Sequence, residues 1–173
     1  IVPISKYPIE LTDDEMVACR SCAKSRDESA IKYQQRTDLT ASPETPFKTL
    51  VGVMSELAVH KHFGVPYTYP FEYQKDRPDL SNGIEVKGTL YRAGHLILNA
   101  HNNQTAPFVS TVCNIGEQTV LLNGWRDAVD CRLDKYWRAP NDGKIPACKR
   151  ESWWIPQSDL HDMKSLRERL VLA

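Results

Sequence analysis

Asp79, Glu85 and Lys87 are the most chemically suggestive cluster in this sequence. They lie in Arg77-Pro78-Asp79-Leu80-Ser81-Asn82-Gly83-Ile84-Glu85-Val86-Lys87-Gly88. In a strand, residues two apart point to the same face, so Glu85 and Lys87 share one face and Ile84 and Val86 the other. Two charged residues on one face of an otherwise apolar strand are either a solvated surface or a site. The turn decides where Asp79 goes. With Asn82-Gly83 as a two-residue loop, Leu80 pairs with Glu85 and Asp79 faces away. With Ser81-Asn82-Gly83 as a three-residue loop and Gly83 in the left-handed region, Leu80 pairs with Ile84 and Asp79 with Glu85. The second register keeps Leu80 and Ile84 together on the core face and is favoured by burial.

Carboxylates set side by side repel each other, and a cation between them removes the conflict. An oxygen-only pair suits Mg2+ or Mn2+, with water completing the octahedron. Such a cation can bind a phosphate oxygen and activate water, and Lys87 is a point charge able to orient that water or stabilise the developing charge. Glu56 is a further acid, set in an apolar helix where an unpaired carboxylate is costly. It must either reach solvent or point at a cation.

The elements that position these residues follow from caps and periodicity. Thr12-x-x-Glu15 is a capping box, and the polar stretch to about residue 36 reads as a first helix. Thr45-Pro46 opens a second helix running to Phe63, with Gly64 just past its end. Its apolar residues cover most of its circumference, which predicts a buried helix. Strands are expected at 71–74, 84–88, 95–99, 108–113, 119–122 and 153–155. The stretch 125–137 starts as strand and turns helical, and 158–170 reads as a closing amphipathic helix. Helices at both ends of a strand-rich middle predict an α/β fold with a mixed central sheet flanked by helices.

A helix with an inward Glu, then Pro-Asp, a hairpin and Glu-x-Lys resembles the PD-(D/E)xK nuclease superfamily. The matching positions are Glu56, Pro78-Asp79 and Glu85-Val86-Lys87, and the strands that follow are similar to those of phage and bacterial members. The resemblance covers about residues 45–125 and implies a restriction-endonuclease-like core. Residues 1–173 then form one domain, with a helical N-terminal extension at 1–44 and a C-terminal extension at 126–173. By the same resemblance, Asp79 and Glu85 are metal ligands for Mg2+ or Mn2+, with the Val86 carbonyl as a third. Lys87 is the catalytic lysine, and Glu56 an additional acid at the metal site. The implied activity is divalent-metal-dependent hydrolysis of DNA phosphodiesters. Gln104 is followed by Phe108 rather than Tyr, so the exonuclease branch with a Gln-x-x-x-Tyr motif is not matched and an endonuclease is favoured. DNA is the implied partner, and a homodimer is compatible with that class. The spacing from Asp79 to Glu85 is short for the superfamily.

Other residues are weighed against plainer roles. Arg92 and His95 follow the lysine strand and are within reach of a phosphate, or are a loop cation and a surface histidine. Residues 132–150 carry Arg132, Lys135, Arg138, Lys144, Lys149 and Arg150 against Asp134 and Asp142, with Tyr136 and Trp137 among them. That composition suits a strand-gripping surface. Trp153 and Trp154 read first as core and second as a base-stacking pair. His60, Lys61 and His62 close a helix C-terminus, where cations are favourable anyway. Cys19 and Cys22 invite a zinc reading but share one helical face as small core residues. Five cysteines at irregular spacing do not make a disulfide framework, and a reducing, cytoplasmic setting is expected.

Composition bounds the rest. The chain has 173 residues, 41% hydrophobic and 25% charged, as expected of an ordinary folded domain. Lys plus Arg and Asp plus Glu both number 22, which excludes a strongly basic, indiscriminate nucleic-acid coat. No run of about 18 apolar residues occurs, so no membrane partner is expected. No secretory leader is visible, and without an initiator Met the sequence reads as trimmed. Two readings outside enzymology stand beside the nuclease. One is a DNA-binding or inhibitory protein on the same fold that lacks chemistry. The other is a protein-interaction domain built on the Trp-rich tail.

Overall fold

The computed structural model describes residues 6–32, 45–72, 77–144 and 147–172. In chain order its elements are β1 (Tyr7–Glu10), α1 (Asp13–Lys32), α2 (Thr45–Phe63), β2 (Glu85–Thr89), β3 (Leu96–Asn99), β4 (Pro107–Asn114), β5 (Thr119–Asp127), α3 (Ala128–Cys131), β6 (Trp137–Arg138), β7 (Ser152–Ile155) and α4 (Met163–Leu172). This is the expected α/β class. The central sheet runs β1-β5-β4-β2 and is mixed: β2 is parallel to β4, and the other pairs are antiparallel. A second, antiparallel sheet runs β3-β7-β6.

The two helix ends follow the expected chemistry. At α1, the Thr12 amide donates to Glu15 Oε2 at 2.8 Å and the Glu15 amide to Thr12 Oγ1 at 3.1 Å, which is the reciprocal capping box. At α2, Gly64 has φ +68°, its N–H donates to the Lys61 carbonyl, and the Val65 N–H reaches back to His60. These paired bonds satisfy carbonyls that would otherwise be orphaned at the helix end.

The main core joins α1, α2 and α4 to one face of the central sheet through residues such as Met16, Val53, Met54, Ile84, Val109 and Leu122. Cys19 and Cys22 are buried there, and all five cysteines are free thiols, as the core reading expects. The second core, around Phe108, Leu96, Leu98, Tyr136 and Ile155, ties β4 to the smaller sheet. The helices therefore cover one face of the central sheet, and Phe108 of β4 packs into the core of the smaller sheet. Parallel neighbours such as β2 and β4 need a long crossover, and residues 90–106 provide it with strand β3 inside.

Three departures from the sequence expectations have physical causes. Residues 7–10 form a strand that joins the central sheet beside β5, so the N-terminal segment is part of the fold and not only a helical extension. Its four residues alternate in burial, too short a stretch to stand out. Phe71 and Glu72 are not in a strand, and Phe71 is 59% exposed; residues 73–76 lie outside the described residues. The C-terminal helix starts at Met163, because Leu160–Asp162 first runs as an extended arm. There His161 exchanges both backbone hydrogen bonds with Trp125 and continues the β5 edge beyond β1.

Gly88 fixes how closely α2 lies on β2. A Cβ at Gly88 would collide with Ser55 Oγ. Ser55 cannot swing away freely, since its hydroxyl donates to the Val51 carbonyl at 2.7 Å and accepts from Thr111 at 2.7 Å. Gly88→Ala is expected to destabilise the protein by about 1–3 kcal/mol through overpacking, read as a lower urea midpoint at unchanged slope.

Candidate metal and catalytic centre

The hairpin before β2 takes the three-residue form. The Leu80 N–H donates to the Ile84 carbonyl at 3.1 Å, the Gly83 N–H donates to Leu80 at 2.9 Å, and Gly83 sits at φ +87°. Leu80 and Ile84 are both buried, the burial that favours this register. Asp79 then lies beside β2. Its Oδ2 accepts the Val86 N–H at 2.7 Å, occupying the strand edge that faces away from β4. In an extended strand a residue's N–H and C=O leave on the same side, so the Val86 carbonyl faces the Asp79 side as well. Lys87 alternates, and its carbonyl lies toward Thr111 of β4, whose hydroxyl approaches it at 3.5 Å.

Asp79 and Glu85 lie close enough together for each carboxyl to perturb the other. Burial, reinforced by the nearby Glu56 charge, pushes the Asp79 carboxyl up to about 8. Burial raises Glu85 too, against the pull of Asp79 and Lys87. Burial pulls the Lys87 ammonium down, while Asp79 and Glu85 hold it up and Lys48 pushes it down. Glu56, Asp79, Glu85 and Lys87 thus form one electrostatic unit, joined by Lys48 of α2.

Glu56 finds its cation inside the protein. Arg26 of α1 grips both oxygens, at 3.0 and 2.8 Å, and the Tyr67 hydroxyl donates to Oε2 at 2.6 Å. Arg26 also donates to the Pro70 carbonyl at 2.8 Å. Burial alone would lower the arginine, but the Glu56 carboxylate outweighs it and holds the guanidinium above its ordinary range. Both Glu56 oxygens are therefore taken, and Glu56 reaches Asp79 as a charge behind it. Sequence patterning gives no sign of Arg26 or Tyr67, which lie 30 residues before and 11 after Glu56.

On the opposite side Lys87 lines a groove of about 710 Å³ between β2, the loop before β3, and β7. Arg92 and His95 line it too, together with Tyr91, Ile97 and Trp154. Burial and the approach of Arg138 lower His95. Arg138 is buried, paired with Asp142 at 2.7 Å, and stacks 4.1 Å from the Trp154 ring centroid. Lys135 is directed elsewhere: it pairs with Asp159 at 3.2 Å and lies over the Tyr136 ring. The structure thus gathers Glu56, Asp79, Glu85 and Lys87 at one end, and Arg92, His95 and Arg138 around the groove.

The donor set fits a hard divalent cation: two half-buried carboxyls close together, with a strand-edge carbonyl on the same side. Among the described residues no three His, Cys, Asp or Glu side chains converge, so a cation there would rest on these oxygens and water.

The raised Asp79 carboxyl gives a pH test. A carboxyl whose native pKa lies above its unfolded value near 3.8 stabilises the fold fully at low pH and loses that contribution as pH rises through the native value. In EDTA, stability should therefore fall between about pH 4 and pH 8, by up to about 1.4 kcal/mol per unit. Asp79→Asn should flatten that slope in urea titrations at successive pH values; an unchanged slope would contradict a raised Asp79 carboxyl.

No family model, no curated protein and no solved structure matches this chain.

Proposed function

We propose that the protein is a divalent-metal-dependent DNA nuclease, an endonuclease, on a restriction-endonuclease-like core. The observation that carries this reading is the half-buried cluster of Asp79, Glu85 and Lys87 at the free edge of β2, where Asp79 holds the Val86 N–H. Two acids forced into contact in a low-dielectric setting are unfavourable unless a proton or a cation lies between them.

Asp79 and Glu85, with the Val86 carbonyl, would hold Mg2+ or Mn2+. When bound, the cation supplies an acidified water and neutralises charge on the phosphate. Lys87 orients the nucleophile and stabilises the negative charge that develops on the phosphoryl oxygens. Its lowered pKa eases proton movement at Nζ while its charge remains the counterpart of the phosphate. Glu56, fixed by Arg26 and Tyr67, acts from behind Asp79 as the additional acid and favours the cation-bound form electrostatically. Arg92 is placed to hold a neighbouring phosphate, and Arg138 anchors the groove wall.

The test is incubation with single-stranded, duplex and branched DNA in Mg2+, Mn2+ or EDTA. Cleavage with either cation and none in EDTA is the expected result. Binding without cleavage in any cation would assign the protein to the non-catalytic DNA-binding class instead. Among the described residues no helix is long and apolar enough to cross a membrane.

A further inference from the structure

We propose that the groove beside Lys87 is a stacking site for an unpaired nucleotide, making single-stranded or locally unpaired DNA the preferred substrate. This deepens the nuclease reading and rests on it for the position of the scissile phosphate.

The groove shares Lys87 with the candidate centre. Its volume of about 710 Å³ lies in the range of small-ligand sites and suits a nucleotide rather than a duplex. The described lining is apolar and aromatic with Lys87, Arg92 and His95 among it, and no acidic side chain lines it. That combination, rings with cations at the rim, is what an unstacked base and its phosphate require.

The walls are built to keep their shape. Trp154 is fixed from three sides: its indole N–H donates to Ser152 Oγ at 2.8 Å, Arg138 stacks on the ring, and the His95 ring lies 5.7 Å away. The loop carrying Tyr91 is closed by the Gly94 N–H donating to the Tyr91 carbonyl at 2.9 Å. Gln157 clamps the same loop from the C-terminal segment, donating to the Arg92 and Gly94 carbonyls at 2.9 and 3.0 Å. A Cβ at Gly94 would stand 2.7 Å from the Thr89 methyl, so the tight loop depends on glycine there. On this fixed loop Tyr91 lines the groove and is 62% exposed. In duplex DNA the base faces are already stacked on their neighbours, so such a platform is usable only by a base that has left the helix.

The experiment is fluorescence anisotropy in EDTA with a short labelled oligo-dT strand and a duplex of matched length, followed by cleavage of the same substrates with Mn2+. The strand should bind more tightly than the duplex at equal salt. Tyr91→Ala should weaken strand binding by at least about fivefold, since stacking contributes about 1–3 kcal/mol per base. Tyr91→Phe should restore it. Equal affinity for strand and duplex, or no loss with Tyr91→Ala, overturns the groove assignment even if DNA is cut. Tyr91-dependent self-association in place of DNA binding would give the groove to a second copy and overturn it too. Tyr91-dependent strand binding without cleavage in any cation upholds the groove and removes the nuclease reading.

Discussion

Lys87→Met abolishes DNA cleavage, by a factor on the order of 10²–10³ or more, and leaves DNA binding in EDTA nearly unchanged. Loss of one preorganised electrostatic group aimed at developing charge typically has that effect. Lys87 is well suited to such a role because it is half-buried beside Asp79 and Glu85, where a charge acts more strongly than in bulk water. Methionine keeps the unbranched stem and its packing but removes the ammonium. Lys87→Arg should not rescue turnover, since a planar fork cannot replace a compact point charge at the same position. Single-turnover cleavage measured beside anisotropy separates the two effects. Undiminished turnover by Lys87→Met would remove Lys87 from the mechanism.

Arg26→Leu carries the largest expected loss of stability. The Arg26–Glu56 pair is 14% and 13% exposed, bidentate, and completed by Tyr67 and Pro70. Removing one partner of a buried pair leaves an uncompensated charge and costs about 3–5 kcal/mol. The double replacement Arg26→Leu with Glu56→Leu should recover most of that loss, because no charge then remains buried. Urea denaturation of the two single variants and the double variant reads the coupling directly. Additive losses would mean that the pair is not coupled as its geometry indicates. In Arg26→Leu the released Glu56 charge lies behind Asp79, so Asp79 should also hold its proton to higher pH.

The local features of the site were legible because they rest on short-range rules. Leu80, Ile84 and Gly83 allowed only one hairpin register with a buried core face, and the observed hydrogen bonds follow it. The ends of α2 and the capping box of α1 likewise depend on a few adjacent residues. That Glu56 must reach solvent or a cation followed from the cost of a buried acid, but the identity of its partner did not. Arg26 comes from another helix, and sequence distance carries no signal for a long-range ion pair. The division of strands into two sheets was similarly hidden, since β3, β6 and β7 are short and their pairing depends on where the crossover sends them. Tyr91 and Gln157 gain their meaning only once β7 and the loop before β3 meet across the groove.

The most direct measurement is anomalous diffraction at the manganese edge from crystals soaked in Mn2+. A single strong peak within about 2.5 Å of the Asp79 and Glu85 carboxylates and the Val86 carbonyl is the predicted result. A fully soaked crystal with no peak between Asp79 and Glu85, or with its only peak elsewhere, would contradict the metal centre and the nuclease built on it.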